Sequence, residues 1–261
     1  YPLPVEYSEK PIIEKEEDLD KIPFLTCSDY IKKGYMDDAA RLIQKIGEGA
    51  FISGNNGGQT MNSLTAWRGS TQGLMDLYMN PKLVHKIMDF ATRRTIEIGK
   101  AFIEIGVDAI YIGDAWANSS IISPAQFREF CVPYYKKVTQ EFHKYGVLVY
   151  LHICGNSEPI LEDMASTGVD AIEPLDPLGG VDLADAKRRV GNKVCLKGGI
   201  NTMTLLYGNY EKIENEVYSC IKKAAPHGGF IFSTGDNIPR NTPINNVKKM
   251  VEAVHRYGMY I

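Results

Sequence analysis

Six times along the 261 residues, a short continuous apolar run is followed by a stretch whose apolar side chains recur at helical spacing. Runs of this length suit strands buried on both faces, and strands separated by helices pair in parallel. The runs are 49–54, 108–113, 146–152, 169–173, 193–197 and 229–233. Helical spacing covers 29–46, 59–67, 74–79, 81–105, 123–145, 158–166, 183–190, 210–225 and 242–257. Asn80 followed by Pro81 is a strong start signal, and Pro124 and Pro243 open two further helices. The stretch Asn55-Asn56-Gly57-Gly58 reads as a glycine-rich loop, either a plain turn or a cradle of backbone N–H groups for an anion.

Two architectures accommodate this alternation. The helices are long and the chain has no GxGxxG dinucleotide turn, which favours an α/β fold of the TIM type, a (β/α)8 barrel, over an open doubly wound sheet. A barrel of this type has eight strands. Six are visible, so two are expected ahead of Tyr1, in an N-terminal part apparently missing. On this reading residues 1–261 form a single barrel domain. Residues 1–28 are an N-terminal lead-in punctuated by Pro2, Pro4 and Pro11, and 29–261 hold the strand–helix units.

Composition narrows the function classes. Hydrophobic residues make up 44% and charged residues 23%, an ordinary globular balance. The net charge of −3 provides no basic field for nucleic acid. No apolar run approaches the ~20 residues that span a bilayer, and the charged start is unlike a signal peptide. Five widely spaced cysteines are no disulfide framework, so a reducing cytoplasm is expected.

Barrel enzymes carry their reacting groups at the carboxyl ends of strands. The polar residues where the runs end are Asn55 and Asn56, Asp114, His152 with Cys154, Glu173, Lys197 and Asp236. In His152-Ile153-Cys154 two side chains two residues apart on extended chain share a face, and imidazole with thiolate suits zinc. Packed, satisfied side chains at a barrel mouth are the bland alternative. Asp114, before Trp116, is a candidate acid, base or substrate anchor, or a simple cap.

The stretches Leu151–Asn156, Gly168–Pro174, Lys197–Ile200 and Gly228–Pro239 with Thr242-Pro243 resemble the uroporphyrinogen decarboxylase superfamily. So do Gly113-Asp114, Ile122–Phe127 and Pro133-Tyr134, and the likeness covers essentially the whole chain. The resemblance implies a (β/α)8 barrel entered near its third strand. It also implies one of two activities: cofactor-free decarboxylation of a porphyrinogen, or zinc-dependent methyl transfer involving a corrinoid protein, as in O-demethylase and coenzyme M methyltransferase components.

The His-x-Cys pair favours the methyltransferase branch. By that resemblance the metal ligands are His152, Cys154, Glu173 and Asp236, with Asp236 standing where the branch carries a further cysteine. An oxygen ligand there favours zinc as Lewis acid on the oxygen of a methoxylated aromatic compound, whose methyl group passes to a corrinoid on a partner protein. Asp114, His152 and Glu173 are the catalytic candidates; Asn55, Trp67, Tyr111, Trp116 and Lys197 are the substrate-binding ones. A small-molecule methyl donor or acceptor, a corrinoid protein and a second copy of the chain are the expected partners. A decarboxylase, or a binding protein that has lost the metal with its thiolate, are the alternatives.

Overall fold

The computed structural model describes residues 11–259. In chain order its elements are α1 (Cys27–Lys32), α2 (Asp37–Ile46), β1 (Ser53–Gly58), α3 (Thr60–Arg68), α4 (Ser70–Met79), α5 (Pro81–Glu104) and β2 (Ala109–Gly113). Then follow α6 (Pro124–Phe130), α7 (Val132–His143), β3 (Leu148–His152), α8 (Leu161–Ala165), β4 (Ala171–Leu175) and α9 (Leu183–Val190). The last are β5 (Cys195–Ile200), α10 (Thr202–Tyr207), α11 (Tyr210–Ala224), β6 (Phe230–Thr234) and α12 (Ile244–Tyr257). Six parallel strands alternating with helices place the chain in the α/β class of TIM-like folds. It divides into two compact units: residues up to Ala117 with Ala125–Tyr150, and Asn118–Pro124 with Leu151 onward.

In the first unit α5 is the longest element. Asn80 Oδ1 accepts from Leu83 N at its start, and Leu83, Val84, Ile87, Met88 and Ala91 bury one face at helical spacing. β1 pairs with β2, Ser53 opposite Ala109 and Asn55 opposite Tyr111. Two glycines permit close packing here. A Cβ on Gly54 would lie 2.5 Å from the Phe102 ring, and one on Gly99 would lie 2.1 Å from Phe142. In the second unit β4, β5 and β6 pair in sequence order, Ala171 with Cys195 and Leu196 with Phe230. Asp182 and Asn209 cap α9 and α11 through their side-chain oxygens.

The structure moves several expected boundaries. The first strand is not 49–54 but Ser53–Gly58, so the Asn55–Gly58 loop is itself strand. Phe51, read as core, is 66% exposed. The helix expected over 29–46 breaks at Gly34, whose φ of 72° ends α1. The one expected over 123–145 is α6 and α7, divided at Cys131. α10 had no counterpart in the pattern. Of the lead-in, Pro2 and Pro4 lie outside the described residues; Ile13 is buried, its N–H donating to Trp67 O.

Candidate active site

Side-chain alternation builds the site in the second unit. Because Ala171 pairs with Cys195, Glu173 and Lys197 are each two residues further along the same face of adjacent strands. Lys197 Nζ forms an ion pair with Glu173 Oε2. Glu173 Oε1 accepts from His152 Nδ1 at 3.0 Å, and His152 in turn hydrogen-bonds Cys154. The result is one chain of groups: cysteine sulfur, imidazole, carboxylate, ammonium.

Glu173 is 7% exposed. Burial alone would raise its pKa, but hydrogen bonds and charge from His152 and Lys197 win, holding the carboxyl below its ordinary range. For His152 burial alone would favour the neutral ring. Hydrogen bonds to Cys154 and Glu173, with the charges of both, outweigh it and raise the imidazole to about 9. His152 is therefore an imidazolium at neutral pH, with a side chain 22% exposed.

Zinc, expected from the resemblance, can be tested against this donor set. His152 and Cys154 supply a nitrogen and a sulfur, and Glu173 on Nδ1 resembles the carboxylates that orient metal-binding imidazoles. Catalytic zinc takes three ligands from the protein. Among the described residues no group of three or more His, Cys, Asp and Glu side chains is arranged to hold a metal. Glu173's second oxygen is already committed to Lys197. Asp236, the fourth expected ligand, accepts instead from the backbone and side-chain nitrogens of Asn237. It acts on the buried Asp176, whose carboxyl is raised by burial and, secondarily, by that negative neighbour. The geometry is a hydrogen-bonded chain of titratable groups, short of a closed metal site among the described residues.

The first unit holds the other expected residues. Asp114 is fully buried and its oxygens accept from Thr60 Oγ1, Tyr135 OH, Met61 N (3.1 Å) and Asn62 N (2.7 Å). Burial raises its carboxyl despite these bonds. Enclosed at the first turn of α3, it ties that helix to the end of β2 through these bonds. Lys197, expected to contact substrate, is paired with Glu173. Tyr111 packs edge-on against Tyr150, ring centroids 5.3 Å apart, and Asn55 Oδ1 accepts from Gly57 N. Trp67 and Trp116 line one cavity together, joined by Asn56 instead of Asn55. Sequence reading passed over Tyr135 and Arg94 inside helices, where nothing local marks them. Asp176, one residue past the end of β4, satisfied the strand-end rule that found Glu173.

A TIM-like parallel fold with acid, base and thiol groups collected at strand ends is the plan of an enzyme. The chain belongs to the uroporphyrinogen decarboxylase (URO-D) family, whose model matches residues 5–257. It is 31% identical over 255 residues to the uroporphyrinogen decarboxylase of Chlorobium phaeovibrioides, spanning 94% of this chain and 70% of that one. The enzyme of the same name from Sodalis glossinidius is 30% identical over 254 residues, with 94% and 69% covered. Among solved structures, a methyltransferase from Methanosarcina mazei superposes with a TM-score of 0.72 at 26% identity, over 84% of this chain and 63% of that one. A B12-independent methionine synthase from Shewanella sp. W3-18-1 shares the fold, with a TM-score of 0.56 at 12% identity, over 85% and 67%. No described helix is long and apolar enough to cross a membrane.

Proposed function

We propose that this family member is a methyltransferase that cleaves the methyl–oxygen bond of a small methoxylated compound, with His152 as the acid. The observation that carries the reading is the placement of His152 between Glu173, 3.0 Å from its Nδ1, and Cys154, contacts that favour the protonated ring. As the methyl group leaves, negative charge develops on the oxygen it leaves behind. A proton from His152 turns that oxygen into a hydroxyl, and Glu173 stabilises the ring's positive charge beforehand. Lys197 keeps Glu173 ionised and fixed. The acceptor class is the corrinoid of a partner protein, which supplies the nucleophile. A Brønsted acid thus takes the place of the expected zinc Lewis acid. The likeness to the Methanosarcina methyltransferase and the His-x-Cys pair support this branch.

Decarboxylation is the second reading, favoured by the curated relatives. There the same imidazolium delivers its proton to a pyrrole carbon. One set of assays separates the readings: purified protein with an aryl methyl ether and reduced corrinoid, the same protein with uroporphyrinogen, and its zinc content. Corrinoid methylation that disappears in His152→Gln and fades as pH rises past about 9 supports the proposal. About one zinc per chain, lost in both His152→Ala and Cys154→Ala, overturns the Brønsted acid in favour of a Lewis acid. Carbon dioxide release without methylation establishes the decarboxylase.

A further inference from the structure

Helix α9, 8 residues long, buries Leu183, Ala186 and Val190 along one side. Helix α2 has the same kind of pattern without the burial. Its 10 residues carry Ala39, Leu42, Ile43 and Ile46 at helical spacing, yet none of the 10 is buried. Leu42 is 57% and Ile46 38% exposed, while Ala39 and Ile43 are half-buried. The chain at either end continues this apolar surface, with Tyr35 61% exposed before the helix and Phe51 exposed after it. Contiguous exposed apolar residues rimmed by polar ones mark interaction surfaces.

The charges beside the stripe say what fits it. Asp37 and Asp38 make the first turn of α2 acidic, and Lys45 makes the last turn basic. Asp38 and Lys45 are two helical turns apart, so they flank Leu42 and Ile46 on the same side, separated by about 10 Å. Within one molecule Asp38 pairs with Arg41, an exposed pair of small value. A stripe that is acidic at one end and basic at the other complements itself when a second copy lies antiparallel. Asp38 of each copy then meets Lys45 of the other, about a two-fold axis near Leu42. The same axis brings Tyr35 of each copy toward Phe51 of the other. A partner of one charge sign, an anionic membrane included, would be attracted at one end and repelled at the other.

We infer that α2 is a self-association surface. Two copies of the chain pair antiparallel through Leu42 and Ile46, and Asp38 and Lys45 form reciprocal ion pairs at the rim. Burial of the apolar stripe supplies the attraction, and the charges fix direction and register. This pairing requires neither His152 nor the methyl-transfer reading.

Sedimentation equilibrium of the full chain tests it between ~1 and ~200 μM, the range in which small transient interfaces associate. The expected result is a reversible rise from monomer to dimer mass. Leu42→Asp should hold the protein monomeric across that range with an unchanged circular dichroism spectrum, because the side chain is already exposed. Asp38→Lys and Lys45→Asp should each weaken the dimer roughly tenfold, since each sets like charges opposite one another at both rims. The double variant, Asp38→Lys with Lys45→Asp, should return to within about threefold of the wild-type dissociation constant. A monomer at every concentration overturns the inference. So does a dimer indifferent to Leu42→Asp, or a double variant no tighter than the single ones, because either would place the contact elsewhere. The wild-type concentration series stands even if a variant fails to fold.

Discussion

Two carboxylates close to strand ends, Asp114 in the first unit and Glu173 in the second, have opposite fates. Both are buried. Asp114 is surrounded by hydroxyl and amide donors that carry no net charge, and its pKa is raised. Glu173 meets one ammonium and one imidazolium, and its pKa is lowered. Full positive charges offset burial where four neutral donors do not. The difference teaches that a carboxylate's position at a strand end does not by itself assign its task. Neutral donors make a fixed strut; titratable cations make a group that exchanges protons.

The sharpest way to break this comparison is His152→Gln. Removing the acid is expected to lower kcat/KM for methyl transfer on the order of 10²–10⁴-fold, with a loss of stability of no more than about 2 kcal/mol at neutral pH. A larger loss of stability would make His152 a strut like Asp114. Next in size is Asp114→Ala, which leaves two hydroxyls and two backbone N–H groups facing a void. It should cost about 4 kcal/mol in urea denaturation. A change below about 1 kcal/mol would show that α3 does not depend on it.

The pH dependence of stability separates the two sites by sign. His152 has a raised pKa, so its contribution is fully present below about pH 6.5 and is lost as pH rises through about 9. It should amount to on the order of 2 kcal/mol. Glu173 contributes stability above its unfolded pKa of about 4.5 and loses it as pH falls through the lowered folded value. Asp114 runs the other way, its raised pKa favouring the fold at low pH and losing that contribution as pH rises. Urea midpoints of wild type, His152→Gln and Asp114→Asn from pH 4 to 9.5 would resolve the contributions. The smallest effect is expected from Lys197→Met, about 1 kcal/mol, with Glu173 titrating closer to its ordinary value by carboxyl-region NMR. No movement of Glu173 would mean that His152 alone holds it.

Strand–helix alternation was readable because buried strands and amphipathic helices write different periods into a sequence. The residues at strand ends followed from it, including His152, Cys154 and Glu173. β1 was placed early because Gly49-Ala-Phe-Ile looks like a strand, whereas Ser53–Gly58 is poor strand sequence. Its conformation comes from pairing with β2 and packing on Phe102, both distant in sequence. Similarly, nothing adjacent to Lys197 foretells an ion pair to Glu173, and nothing adjacent to Asp114 foretells Tyr135. Those partners are brought together only by register and helix packing.

Gly99 on α5 carries a consequence for how this sequence can drift. Since any Cβ there would overlap the Phe142 ring, the two positions cannot vary independently. A lineage that acquires alanine at 99 must already hold a smaller side chain at 142, and one that keeps phenylalanine is confined to glycine. The pair is a ratchet in which the order of substitutions matters, detectable as covariation once enough diverged relatives are aligned.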